Sequence, residues 1–309
     1  MDINYVLSVV NSALRSTTPI LLAALASAIC TRSGVFNVAL EGQMLIGSFV
    51  GIAVNWVTHS PTLAVLAAIV AGGLVGALVG ILQVRYNAAD MVVGTSVNLL
   101  VGALTAILLF VVFGVKGGFK DPALVPLPKV KLPVISEIPY LSTLFNNLSP
   151  LDYLSYVIAI VMYIYLFKTV KGYHLLSVGV KREAAESMGI SAVKTRIAAV
   201  IASGCLCGYG GVALSMGQVT LFAENMTAGR GFIGMAACNL GKNNPIAIIF
   251  ASLFFGFSDA FAATTQNTIP SQLTQSVPYI ATILALIVFS RKRKKKATKT
   301  EESKAEAVS

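Results

Sequence analysis

Charged side chains are scarce in this 309-residue sequence. Asp, Glu, Lys and Arg make up 12% of it, and the mean hydropathy is +0.78. Globular domains carry about 25%, so an ordinary soluble domain is excluded. Residues 62–82, 91–115, 153–167, 197–223 and 271–290 contain no charged side chain at all. About 20 apolar residues wound as a helix cross the ~30 Å hydrocarbon core of a bilayer. Several such stretches define an all-α, polytopic integral membrane protein.

Other absences narrow the chemistry. The two histidines, His59 and His174, fall at predicted loop ends without ligand spacing, and no enzyme constellation is visible. No GxxxxGK[ST] phosphate loop occurs, so the chain is not expected to hydrolyse ATP itself. Four cysteines, Cys30, Cys205, Cys207 and Cys238, all lie in apolar stretches. Cys205 and Cys207 match neither CxxC redox spacing nor a zinc pattern, so all four read as small packing residues. Residues 1–15 lack the features of a signal peptide. The net charge of +10 does not argue for nucleic acid. Residues 291–309 alone hold eight Lys/Arg and three Glu, half of the excess. A basic tail beside a final membrane helix marks the cytoplasmic side.

Six long spans are expected, near 62–84, 91–114, 150–168, 193–217, 243–263 and 274–290. Shorter apolar segments lie at 17–30, 34–52 and 228–241, giving about 8–10 membrane segments in a helical bundle over residues 1–290. The tail, 291–309, is expected to be disordered. The first and third short segments are too short for a comfortable crossing and read as half-helices or re-entrant elements. Residues 3–14 read as interfacial. With the tail inside, Arg32, Arg85, Lys168, Lys171, Lys181, Arg182, Lys194, Arg196 and Lys242 all fall inside, as the positive-inside rule requires. Residues 115–149 then lie outside, where Lys116, Lys120, Lys129 and Lys131 are an exception to the rule, in a long loop that also holds Asp121 and Glu137. That segment and its end carry Pro122, Pro126, Pro128, Pro133, Pro139 and Pro150. Such density opposes helix and reads as a passive connector.

Gly72, Gly76 and Gly80 share one helix face, as do Gly204 and Gly208, so the bundle is expected to pack tightly. Residues 31–36 weakly echo residues 227–232. Each precedes a short apolar helix, in opposite orientation, and inverted repeats of this kind occur in transporters.

Two patterns are candidates for function. In residues 32–47, Asn37 and Glu41 are four apart and share a helix face. A Glu inside a membrane is costly unless paired or hydrated. It either lines an aqueous pathway or holds a broken helix end in place. Asn98 and Asn239 are intramembrane amides with the same two readings. In residues 179–189, Ala184, Ala185 and Met188 form the apolar side of a short amphipathic helix that Gly189 ends. That helix sits in the cytoplasmic loop and is a candidate for docking a soluble partner, with Arg182, Glu183 and Glu186 at the rim.

Together these stretches resemble the permease subunits of bacterial ABC importers, in the branch that carries ribose, branched-chain amino acids and nucleosides. Residues 32–47 resemble the RSGVxNIGLEGxMLxGA signature of the nucleoside and simple-sugar group, with Phe36, Val38, Ala39 and Ser48 as departures. Residues 177–190 resemble its VGxNPxAAxxxGI coupling loop, with Lys181, Arg182 and Glu183 in place of Asn-Pro. Residues 229–241 with Asn244 and Pro245 resemble GxGFxAIAxALxGxxxP, departing at Met235, Cys238 and Asn239. The resemblance implies a type II-like importer fold in a bacterial cell membrane and nucleosides as the solute. It also implies three partners: a second, different permease chain, a cytoplasmic ATPase that holds the ATP and Mg, and an extracellular substrate-binding lipoprotein. Simple sugars or another small polar solute are the alternative within the class. An ion-coupled secondary transporter, with Glu41 and Asp259 as coupling carboxylates, is the rival outside it, and a membrane assembly protein without transport is a further rival. The loop at 177–190 separates these readings, because only an ABC permease needs a docking helix there.

Overall fold

A computed structural model describes residues 3–129, 148–265 and 280. The expected span at 274–290, apart from Ile280, and the tail at 291–309 lie outside the described residues, as do residues 130–147 of the proline-rich segment. The described residues form ten α-helices. These are α1 (Ile3–Arg32), α2 (Leu40–Thr58), α3 (Pro61–Gly80), α4 (Asp90–Phe113), α5 (Pro150–Lys168), α6 (Val170–Val180), α7 (Arg182–Ser187), α8 (Ala192–Val212), α9 (Arg230–Leu240) and α10 (Pro245–Thr265). Helix α3 continues through a π-type turn at Ile81–Arg85, and α8 through another at Ala213–Val219. Two short strands, β1 (Gly118–Phe119) and β2 (Phe222–Ala223), pair antiparallel. Seven of these helices are long and apolar enough to cross a membrane.

Helices α1, α2 and α8 form the middle of the bundle; α3, α4, α5 and α10 surround them and expose rows of large apolar side chains. Of the outer helices, which must meet lipid, α3 and α4 are the most apolar in the bundle. The inner ones carry the small and polar residues, which lipid would not tolerate. The two glycine faces meet each other. A Cβ on Gly72 would sit on the carbonyl oxygen of Gly204, and one on Gly208 would sit on that of Ala68. Backbone-to-backbone contact between α3 and α8 therefore depends on these positions having no side chain.

Helix α1 departs from expectation. It is one continuous helix, crossing from Leu7 to Arg32, rather than an interfacial piece followed by a short segment. Pro19 lies inside it. Proline has no N–H and leaves the carbonyl four residues back without its helical partner. That carbonyl is Arg15's, and Gln218 Nε2 donates to it at 2.9 Å. The helix can therefore pass through Pro19 without an orphaned polar group in the membrane. Helix α2 also runs further than the expected 34–52, ending at Thr58, with a non-helical stretch at 34–39 before it.

The two ends of the bundle are distinct. At one end Arg32 reaches the carbonyls of Lys242 and Asn243, and Gly179 abuts Arg32 and Gly34. The expected cytoplasmic basic residues thus share this basic end. At the other end Asn55 exchanges two hydrogen bonds with the backbone of Val125, and His59 Nδ1 lies 3.2 Å from the Ala123 carbonyl. Leu124 and Leu127 are buried there. The described part of the proline-rich segment is therefore bound to the bundle, which is more than a passive connector requires.

Candidate functional site

Two chain breaks meet inside the bundle. The first is the stretch 34–39 that leads into α2; the second is residues 224–229 that lead into α9. Helix α2 runs away from the basic end, and α9 runs towards it. The echoing segments 31–36 and 227–232 therefore open helices of opposite direction that touch at their N-termini. Helix α9 has 11 residues, about 16 Å, so its start lies roughly halfway through a ~30 Å core.

Glu41 joins the two. Its Oε1 accepts from Gly229 N at 2.8 Å and its Oε2 from Gly231 N at 2.7 Å. These are orphan N–H groups at the start of α9, and Glu41 itself sits in the first turn of α2. A carboxylate is favoured beside the positive end of a helix dipole, and here it serves two. Glu41 is buried with both oxygens satisfied. Close approach requires Gly231, because a Cβ there would come within 2.7 Å of both the backbone N and Oε2 of Glu41.

The other break is held by amides. Asn37 Oδ1 accepts from Ala39 N, while its Nδ2 donates to Gln43 Oε1 and Ser203 Oγ. Asn98 Oδ1 accepts from Gly42 N at 2.7 Å and its Nδ2 donates to the Val38 carbonyl at 3.0 Å. Gln83 donates to the Phe36 carbonyl. Non-helical backbone in a membrane must find such partners, and side chains from α3, α4 and α8 supply them. Asn37, Glu41 and Asn98 thus gather at one place. Asn239 does not: it lies near the far end of α9 and is exposed.

Sequence reasoning missed the role of Arg230. It opens α9 and forms an ion pair with Asp259 of α10 at 3.0 Å, and both side chains are mostly buried. An Arg and an Asp in apolar surroundings are a visible signal, but 29 residues separate them and only the fold pairs them. Both carboxylates considered for ion coupling, Glu41 and Asp259, are therefore held by fixed partners.

Arg32 completes the arrangement around α9. Its Nε donates to the Asn243 carbonyl at 3.1 Å, just past the C-terminal end of the helix, and its guanidinium lies 5.4 Å over the Phe167 ring. Helix α9 thus has an anion at its N-terminus and a cation at its C-terminus, both from the segment 32–41. That segment is tied to the loop at 169–191. Arg196 Nε donates to the Ser33 carbonyl, and Gly179 packs against the Arg32 carbonyl.

In that loop α7 forms as expected. Gly189 takes positive φ (80°), and Ile190 N donates back to the Ala185 carbonyl, closing the helix in a Schellman-type turn. Ala184 and Met188 are exposed, Met188 at 82%. Arg182 and Glu186 pair at 3.0 Å along the surface, and Glu183 is exposed beside them. Ala185 is a correction. It is 3% exposed and packs against Val178, Ala192 and Ile190 of its own chain, so it is not free to anchor a partner. A cavity of about 800 Å³, lined among others by Val180, Lys181, Ala184, Met188 and Lys194, opens beside α7.

These features define a multi-pass membrane protein with a short helix that starts inside the bundle and an ordered, exposed short helix at its basic end. The chain belongs to the family described as branched-chain amino acid transport system / permease component, whose model matches residues 9–287. It is 33% identical to the guanosine ABC transporter permease protein NupQ of Bacillus subtilis, covering 94% of each chain. It is also 33% identical to the nucleoside ABC transporter permease protein NupC of Lactococcus lactis, covering 93% of each. The fold is similar to that of an inward-facing metal-chelate type ABC transporter, with a TM-score of 0.54, 15% identity, and coverage of 92% of this chain and 85% of that one.

Proposed function

We propose that this chain is one of two permease subunits of a nucleoside importer, with ATP bound and hydrolysed by a separate cytoplasmic ATPase. The observation that carries the solute is the likeness, along nearly the whole chain, to permeases of guanosine and nucleosides. The basic end faces the cytoplasm, following the distribution of Lys and Arg. There α7 presents Ala184 and Met188 to a groove on the ATPase, with Arg182, Glu183 and Glu186 as its polar edge, a helix-in-groove contact. Gly189 fixes the direction in which the helix ends. The second permease is a different chain, and an extracellular lipoprotein delivers solute at the opposite end. In this reading Asn37, Glu41 and Asn98 brace the route rather than contact solute, because their polar atoms are already engaged by the chain itself. The test is uptake in cells with and without the chain, using labelled nucleosides against a panel of competing nucleosides and sugars. Uptake should depend on the chain and on the ATPase and be blocked by excess nucleoside. Competition by sugars alone would assign a sugar instead.

A further inference from the structure

Residues 224–229 are turns, not helix, with positive φ at Asn225 (55°), Ala228 (46°) and Gly229 (79°). They descend into the membrane. Phe222 packs on Phe49 of α2, while Gly229 binds Glu41 of the same helix. Along α2 that separation is about 12 Å. Glu224, Asn225 and Ala228 are exposed on the way down. Exposed irregular backbone at membrane depth does not face lipid; it lies against protein or lines an aqueous cavity. The adjoining helix gives the same indication. The free face of α9 carries Phe232, 43% exposed, and seven residues on, Asn239, also exposed. Asn239 stands where α9 reaches the basic end, so this free face leads from the middle of the core to its aqueous edge.

We propose that the free face of α9, with Phe232 and Asn239, together with the turn at 224–229, forms the surface along which a nucleoside crosses the chain. This rests on the nucleoside reading above and adds the contacts to it. An exposed phenyl ring stacks a heterocyclic base without reading its edge, because every base has a π-face. Asn239, about 10 Å further along the helix, offers a donor and an acceptor to the sugar hydroxyls or to a base edge. Neither group encloses the solute. Weak, successive contacts of this kind suit a route that must release what it binds.

The test uses the assembled transporter, with the wild-type chain as reference. Phe232→Leu keeps an apolar side chain but removes the π-face, while Phe232→Trp keeps one. We expect nucleoside uptake to fall at least tenfold in Phe232→Leu and to stay within threefold of wild type in Phe232→Trp, with equal amounts of assembled transporter. Equal uptake by Phe232→Leu and wild type would overturn the stacking role while leaving the nucleoside reading intact. If the wild-type transporter moves no nucleoside, the reading itself has failed. A second arm places cysteine at the same position. Phe232→Cys should react with a water-soluble methanethiosulfonate, above the background of the unsubstituted chain, and excess nucleoside should slow the reaction. A cysteine there that does not react would place this face against lipid or the second permease chain, and the proposal would be wrong.

Discussion

Substituting Glu41 with Gln separates bracing from solute contact. The carboxylate accepts one N–H on each oxygen, at 2.8 and 2.7 Å. Gln has nearly the same shape but only one acceptor; its amide nitrogen would face the second backbone N–H as donor against donor. One charge-assisted bond is lost, worth about 1.5–3 kcal/mol, and a buried N–H is left unmet. The favourable charge at two helix N-termini goes as well. We therefore expect Glu41→Gln to destabilise the chain by about 2–4 kcal/mol, and Glu41→Ala by more, since both N–H groups are then orphaned beside a void. The assay is thermal or denaturant unfolding in detergent together with the amount of chain in the membrane. Gly231→Ala should resemble them by a different route, because the new Cβ displaces the carboxylate. A Glu41→Gln protein that unfolds like wild type but changes its preference among nucleosides would refute the bracing argument and place the carboxylate in contact with solute.

Three further outcomes follow from the same geometry. Met188→Glu or Ala184→Arg should lower ATPase co-purification and uptake at least tenfold while the membrane level of the chain is unchanged, whereas Ala185→Arg should lower the amount of folded chain; equal behaviour of all three would discredit the assignment of faces on α7. Gln218→Ala should destabilise α1 by about 1–3 kcal/mol through the unpaired Arg15 carbonyl, and Pro19→Ala should remove most of that loss by restoring the helical N–H, a coupling that a double-mutant cycle measures. Cysteines at Lys120 and Ser187, which lie at opposite ends of the bundle, should label from outside and inside respectively; the swapped result would reverse the membrane placement, and labelling of both from one side would refute the topology.

Much of the bundle was legible in the sequence because lipid imposes a simple code. Runs without charge marked five spans that the structure reproduces to within a few residues, the sixth lying outside the described residues, and Gly189 marked the end of α7. The paired glycine faces were visible too, although only the fold shows that they meet each other. What escaped was long-range compensation. Pro19 leaves the Arg15 carbonyl without a helical donor, and the side chain that supplies one, Gln218, is distant in sequence. The partners of Glu41 lie about 190 residues away, so its neighbourhood in sequence leaves bracing and pathway equally open. The six-residue α7 is too short for periodicity to decide which alanine faces inward. That choice is made by Val178, Ile190 and Ala192.

Helix α9 behaves mechanically as a strut pinned at both ends to one short piece of chain, Glu41 above and Arg32 below. It cannot slide along its own axis without breaking one pin, nor turn about it without moving Arg230 off Asp259. Any change that alternately opens the two mouths of the route must therefore carry α9 and the segment 32–41 together, as one body. Compliance is left to the joints on either side: Asn225 and Ala228 before the helix, and Lys242 and Asn243 after it, all at positive φ. Arg196 and Gly179 join that body directly to the segment carrying α7. A displacement delivered at the basic end would therefore reach the start of α9 through these contacts.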